Sequence, residues 1–457
     1  YLNAVYKLGL VDLTKDTLEQ RLKGGDLDPV CREIMEIRLA ANKTSTAKYA
    51  ALVQALGTDG RFRGGLQFAG AARTRRFAGR IFQPQNLPSR GLPPADRIEG
   101  YIAALKHGTH DLIYDDLMLL GAASLRGLVV APKGKKLVVA DLSNIEGRIL
   151  AWVAGEGWKL KAFREYDAGA GPDLYNVTAT SIIGGDPWTV SKANRNCFGK
   201  VPDLSFGFRG GPSGMQTFTH AYGIRMVDYW PVIQANVAEA HVLRAQDSVA
   251  QPWAVAQVAA LGISEAEWVA CETVKLAWRA RHPATVQFWK DIQEAAISAT
   301  RNPETVYVCG RLQAMARYSK AKHLWLYIKL PSGKFLTYFE PRVTPGDYGD
   351  SLTYMSLASE DGKTGSRAWV RTYTHGGKLT GNICQTLAGD LLKERMPAIE
   401  AAGYPVILSC HDELLCETPN TDEFTPENLA ALMATNPEWA DGLPLSAEGF
   451  EAERYRK

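Results

Sequence analysis

Four groups of residues in this 457-residue chain have types and spacings that could do chemistry. Asp141 ends the apolar run Leu137-Val138-Val139-Ala140, which puts a carboxylate either at the mouth of a site or at the cap of the next helix. His411-Asp412-Glu413 lies between two apolar runs in PVILSCHDELLCETP, so acids gather at the bend of a hairpin, as a site or as a solvated turn. Lys200, Leu204 and Phe208 recur at i, i+4 and i+8 with Arg195 near the same face, either a cation-bearing helix or an amphipathic one with an incidental lysine. His107 and His110 have a spacing that suits a metal, but no further ligand cluster lies near them in the sequence.

The whole chain bounds these readings. At about 150 residues per domain it holds about three structural units. Apolar content of 46% and charge of 22% are those of a folded globular chain. No run approaches the roughly 18 apolar residues of a membrane span, and no cleavable signal opens it. The first residue is Tyr1 rather than Met, so further sequence upstream is expected. Seven scattered cysteines without a C-x-x-C pair argue against a disulfide framework and a thiolate zinc site, and fit a reducing cytosol. The net charge of +3 is uninformative, but its distribution is not: residues 61 to 90 hold seven arginines and no acid, interleaved with Phe62, Phe68, Phe77 and Phe82. A basic stripe with aromatics points to a nucleic-acid surface over a merely solvated face.

Residues 1–57 read as charged helices, with Thr14 capping LTKDTLEQRL and a polar tip at Lys43–Tyr49 joining two arms of a hairpin. Gln83–Pro88 reads as a loop, Pro93–Leu120 as helix-like and Leu125–Val130 as extended. The strand ending at Asp141 leads into a helix with Ile145, Ile149, Leu150 and Val153 on its apolar side. Residues 156–365 are mainly helical in pattern, with a strand pair expected around Leu324–Tyr338 that turns at Pro331-Ser332-Gly333. Lys378–Met396 is helical, with Asn382 and Gln385 on one side, and the acid-bearing hairpin follows.

Taken together, the motifs resemble those of the polymerase module of family A (Pol I-like) DNA polymerases, the phage-type branch especially, over nearly the whole chain. Asp141, Ser143, Glu146 and Arg148 stand in the pattern of the family's first motif; His411, Asp412 and Glu413 stand in that of its third. Arg195, Lys200 and Phe208 match the fingers motif, Arg76 with Gln85-Asn86 the primer-template segment, and Asn382 with Gln385 the template-side helix. Each motif is short, and their shared order is what makes the match specific.

The resemblance implies an α+β, multi-domain right-hand fold with an antiparallel-sheet palm, helical fingers and helical thumb. It divides the chain into thumb (1–57), first palm part (58–155), fingers and inserted helices (156–365) and second palm part (366–457). It implies template-directed addition of deoxynucleoside triphosphates to a primer 3′-hydroxyl by a two-metal-ion mechanism, with pyrophosphate leaving, in phage DNA replication. Two Mg²⁺ ions, replaceable by Mn²⁺, would be held by Asp141, Asp412 and the Leu142 carbonyl, with Glu413 as a supporting carboxylate. Lys200 and Arg195 would hold the triphosphate, and Leu204, Phe208 and Ser143 would line the nucleotide site. Glu146 would fill the space of a ribose 2′-hydroxyl. Arg76, Gln85, Asn86, Arg148, Asn382, Gln385 and His411 would meet DNA, His411 at the primer end. The partners implied are primer-template DNA, deoxynucleotides and any separate exonuclease or replisome proteins, with no membrane, in the host-cell cytoplasm. No proofreading domain is expected within these residues, and one upstream of Tyr1 stays open.

Three departures stand out. Leu204 replaces an aromatic, and Phe208 replaces a tyrosine, so the hydroxyl that would hold Glu146 is missing and ribonucleotide discrimination is expected to loosen. Pro202 must kink the fingers helix near Phe198 or restart it. Arg195 lies five rather than four residues before Lys200, with Asn196 as the alternative. A catalytically silent nucleic-acid-binding subunit, a metal-dependent nuclease or phosphatase, and a single-subunit RNA polymerase are the competing readings; the final Glu413 speaks against the last.

Overall fold

The computed structural model describes all residues except 1, 7, 11–12, 14, 24–26, 42–46, 89–93, 95–96, 347–348, 359–367 and 457. The expected cap Thr14 and most of the polar tip at 43–49 therefore lie outside the described residues. The chain is α+β, and its described strand pairs are all antiparallel. Helices Lys15–Lys23, Pro29–Ala41 and Ala47–Ala55 precede the Arg-rich stretch, where β1 (Leu66–Gln67) and β2 (Ala78–Gly79) form a minimal hairpin.

β3 (Lys135–Leu142) is the spine of a four-stranded sheet, and both of its faces are covered. Val138, Ala140 and Leu142 enter the main core, while Leu137 and Val139 meet Leu415 and Tyr455 on the other side. A strand buried on both faces has no polar alternation, which is why this run reads as continuously apolar. Each of its larger side chains contributes about 1.5–3 kcal/mol by burial. Asn144, with φ +48°, turns the chain into helix Ile145–Ala154.

Two expectations upstream are corrected. Pro93–Leu120 is broken into helices Ile98–His107, His110–Ile113 and Leu117–Ser124, with left-handed Gly108 ending the first and the Asp116 side chain capping the last. Leu125–Val130 is not a strand: Arg126–Leu128 forms a tight 3₁₀ turn. A strand would point Leu125 and Arg126 to opposite faces, whereas the turn buries both.

The segment 191–206 resolves the Pro202 conflict. Ser191 caps Lys192–Asn194, a π-helical turn spans Arg195–Lys200, and Val201–Phe206 resumes as α-helix with Pro202 in its first turn. The Val201 N–H reaches back five residues to the Asn196 carbonyl, so the wide turn takes up the extra residue between Arg195 and Lys200. The helix ends before Phe208, so the expected single helical face of Lys200, Leu204 and Phe208 stops short of Phe208. Gly199 is required here because a Cβ would lie 2.0 Å from the Tyr175 carbonyl oxygen of the neighbouring helix Leu174–Ile183.

The mainly helical pattern expected for 156–365 holds through helices Glu265–Arg281 and Pro283–Arg301 and then fails. From residue 307 the chain is a six-stranded meander: β4 (Tyr307–Cys309), β5 (Leu312–Tyr318), β6 (Leu324–Lys329), β7 (Phe335–Thr344), β8 (Ser351–Leu357) and β9 (Trp369–Thr374). The β6–β7 pair is the expected one around Leu324–Tyr338. The other strands lack clean alternation in the sequence because Met315, Met355, Leu357 and Trp369 face outward while Ser356, Thr372 and Thr374 face inward.

Helix Gly376–Ala401 packs between this sheet and the four-stranded one. The hairpin of β10 (Val406–Cys410) and β11 (Glu413–Pro419) follows, then helix Pro426–Met433 and β12 (Ala447–Ala452). The sheet order β10-β11-β3-β12 places β3 between the acid-bearing hairpin and the last strand.

Candidate active site

The register of β3 brings the acids together across more than 270 residues of sequence. Asp141 pairs with Glu413 on one side and with Glu448 on the other, and the Leu142 N–H donates to the Asp412 carbonyl at 3.1 Å. Asp141 and Asp412 are both half-buried at one end of the sheet. Ser143 is tied into the same corner, its N–H donating to the Ser446 carbonyl at 2.9 Å.

Glu413 takes a different place. It is 1% exposed, and its carboxylate accepts a hydrogen bond from the Tyr455 hydroxyl, which also accepts one from Arg126 at 2.7 Å. Burial and the Glu413 charge push the Tyr455 hydroxyl pKa far up, so it remains a donor. Glu413 is thus a buried member of the sheet. Glu448, absent from the sequence reading, lies opposite Asp141 on β12; one of three acids in the last ten residues, it carried no signal of that pairing.

Glu146, on the first turn of the following helix, forms an ion pair with Arg76 at 2.7 Å, and Arg76 Nε donates to the Gln385 carbonyl at 3.2 Å. Arg76 therefore ties Glu146 to helix Gly376–Ala401. The Pro84–Asn86 segment is a 3₁₀ turn rather than a loop, docked against the acid-bearing hairpin. Gln85 Nε2 donates to the Ser409 carbonyl at 3.2 Å, the His411 Nε2 atom lies 2.9 Å from the Gln85 carbonyl, and Asn86 donates to the Gln83 side chain.

Arg148 is a correction. Expected at DNA, it is 1% exposed, with both terminal nitrogens on the Asp167 carboxylate at 2.6 and 2.7 Å and Nε on the Ser143 carbonyl at 2.7 Å. Its guanidinium also stacks over the Phe163 ring. The bidentate fork that suits arginine to phosphate suits it equally to an internal carboxylate, and the sequence does not separate the two.

Along the segment 191–206, Lys200 Nζ stands 5.2 Å over the Tyr222 ring, and Arg195 is held by Asp173 at 2.9 and 3.0 Å. Leu204 is exposed. Phe208 packs its ring against Gly381, and its carbonyl sits where a Gly377 Cβ would be, 2.3 Å away. Phe208, Asn382 and Gln385 border one cavity of about 410 Å³ together with Arg73, Arg209 and His375. Burial, with Arg209 and Lys378 nearby, pushes the His375 pKa down to about 4. Asn382 donates to the Tyr338 hydroxyl at 3.1 Å.

Among the described residues no group of three His, Cys, Asp or Glu side chains forms a ready-made metal cage. The acid end of the sheet nonetheless fits a hard divalent cation: two carboxylates and a backbone carbonyl, all oxygen, suffice for an ion that keeps water and substrate oxygens as its other ligands. Among these residues no single helix is long and apolar enough to cross a membrane.

The chain has the fold of a Pol I polymerase domain. It is similar to the solved polymerase domain of Pol1 from M. smegmatis in complex with DNA primer-template and dNTP, with a TM-score of 0.53, 16% identity, and coverage of 96% of this chain and 56% of that one. In sequence it is similar to the DNA polymerase of Bacillus phage SP02, 31% identical over 456 residues, which is 98% of this chain. The chain spans about three-fifths, 61%, of that relative's length. No family model matches it.

Proposed function

We propose that this chain is a template-directed DNA polymerase that adds deoxynucleoside triphosphates to a primer 3′-hydroxyl and releases pyrophosphate, in phage DNA replication in the host-cell cytoplasm. The observation that carries this reading is the β3 register, which sets Asp141 beside the Asp412 turn with Glu146 one helical turn away. The likeness to a phage DNA polymerase and to a Pol I polymerase domain supports it. The thumb, palm and fingers boundaries at 57, 155 and 365 belong to the same proposal, with the meander from residue 307 taking the place of helices at the end of the third segment and its last strand, β9, lying beyond 365.

Asp141, Asp412 and the Leu142 carbonyl would hold Mg²⁺, or Mn²⁺ in its place. Two such ions supply Lewis-acid stabilisation of the entering and leaving oxygens at the α-phosphate. The protein's own residues do the rest. Lys200 neutralises the triphosphate as pyrophosphate leaves, with Arg195 joining it on release from Asp173. Glu146 occupies the space of a 2′-hydroxyl, Leu204 and Phe208 bound the nucleotide site, and Ser143 keeps the strand end in place. His411 contacts the primer end, Arg76 with Gln85 and Asn86 the primer-template duplex, and Asn382 and Gln385 the template side. Glu413 supports Asp141 from within the sheet.

Primer extension with Mg²⁺ and four deoxynucleotides tests the reading. Asp141→Ala and Asp412→Ala each abolish synthesis while the melting temperature stays near that of the parent. Normal extension by Asp412→Ala overturns the site, and a nuclease or a silent binding subunit shows no extension by the parent chain.

A further inference from the structure

The six-stranded meander has one face in the core and one face open. Leu326, Ile328, Leu336, Tyr338 and Leu352 enter the main core. By alternation the open face should be polar. Instead the cross-strand register sets Arg317, Trp325, Phe339, Met355 and Arg371 side by side across β5 to β9. Four inter-strand steps of roughly 4.8 Å make this row about 19 Å long. Trp325 and Phe339 lie 4.7 Å apart between ring centroids, Trp369 lies 5.5 Å from Phe339, and Tyr327 meets Phe335 at 6.1 Å. Trp369 is 57% exposed, Tyr373 48% and Phe335 43%. Exposed aromatics on one sheet face, where polar residues are expected, mark a binding surface.

The charge around this platform chooses the partner. Arg317 and Arg371 close the two ends of the row, and Lys329 and Arg342 are exposed on the same face. Against them stand Glu304, paired with Arg317, and Glu340, paired with His323. Arg371 Nη1 donates to the Glu340 carbonyl at 3.0 Å and to Thr353 Oγ1 at 3.3 Å, which holds its exposed guanidinium on this face near Arg342, the cross-strand partner of Thr353. The platform also continues toward the candidate site. The Tyr373 ring lies 5.8 Å from His375, which borders the cavity shared with Asn382 and Gln385.

We infer that the open face of β5–β9 is a single-stranded DNA platform that carries the template strand ahead of the site, its bases stacked on Trp325, Phe339 and Trp369 and its phosphates paired with the flanking arginines. This rests on the polymerase reading and deepens it. Aromatic stacking accepts any base, and a basic flank tracks any backbone, so the platform is indifferent to sequence, as a template path must be.

Fluorescence anisotropy of the full chain tests it with primer-template duplexes bearing 5′ template overhangs of one or about fifteen nucleotides. The long overhang binds about tenfold tighter. Trp369→Ala loses most of that gain while binding the short-overhang duplex as before. Arg317→Gln with Arg371→Gln lowers the slope of log affinity against log salt by about 0.7 for each cation removed, for the long overhang only. These side chains are exposed or at the strand margins, and far-UV circular dichroism checks that each variant is folded. Affinity independent of overhang length, or variants that keep the full gain, overturns the inference and leaves the face to a protein partner. The polymerase reading is judged separately, by extension of the one-nucleotide overhang: its failure there leaves the overhang measurement intact.

Discussion

Replacing Arg76 by methionine removes the group that holds the Glu146 carboxylate while keeping much of the side-chain volume. The pair is at 2.7 Å, with side chains 22% and 33% exposed, and Arg76 is itself anchored on the Gln385 carbonyl. A charge-assisted hydrogen bond in this setting is worth about 1.5–3 kcal/mol, between the value of a surface ion pair and the 3–5 kcal/mol of a broken buried one. If Glu146 excludes ribose, freeing it lowers the preference for deoxynucleotides over ribonucleotides by about 10- to 100-fold, at 1.36 kcal/mol per decade. Single-turnover incorporation of one matched dNTP and its rNTP gives that ratio, and taking the ratio cancels any uniform loss of DNA binding. The missing hydroxyl at Phe208 implied loose discrimination, but Arg76 now supplies the hold on Glu146. Phe208→Tyr alone therefore changes the ratio by less than about threefold, and in the Arg76→Met background it restores part of the loss. An unchanged ratio in Arg76→Met refutes this reasoning, as does a large gain from Phe208→Tyr alone.

Arg148→Met leaves Asp167 without its bidentate partner and costs about 3–5 kcal/mol of stability, read in denaturant unfolding; a weakened affinity for DNA with unchanged stability would return Arg148 to the DNA surface. Tyr455→Phe deprives the buried Glu413 and Arg126 of their shared hydroxyl and costs about 1–3 kcal/mol in the same assay, and an unchanged midpoint would show the network to be dispensable. His375 is neutral in the fold down to about pH 4, whereas it takes a proton below about 6.5 in the unfolded chain. The unfolded state then binds more protons in that window, so this group's contribution to stability falls as pH drops from about 6.5 to 4. His375→Asn, which keeps a helix-capping side chain, flattens that part of the melting-temperature profile; a slope equal to the parent's would place its origin elsewhere.

Local chemistry makes much of the site legible in the sequence. A continuous apolar run ending in Asp141 announces a strand covered on both faces, and it falls within β3. His411-Asp412-Glu413 between two apolar runs announces the hairpin, and Pro202 inside the helical pattern of Lys200, Leu204 and Phe208 announces a fault in that helix. These features depend on neighbours within a few residues, so the order of types along the chain determines them.

Which partners those residues choose is settled by segments hundreds of positions away. Arg76 and Arg148 are chemically alike in the sequence, yet one holds Glu146 at the candidate site and the other is sealed against Asp167 in the core. Glu413 follows Asp412 directly, yet strand alternation turns it inward to Tyr455 near the end of the chain. The aromatic face of β5–β9 emerges only when five strands are placed in register, because no strand alone carries more than two or three of its rings. The sequence by itself determined the elements and the chemical types they carry; the tertiary structure decided which charges are satisfied inside and which face outward. That decision turns on desolvation, a property of the surroundings each side chain acquires only when distant strands close over it.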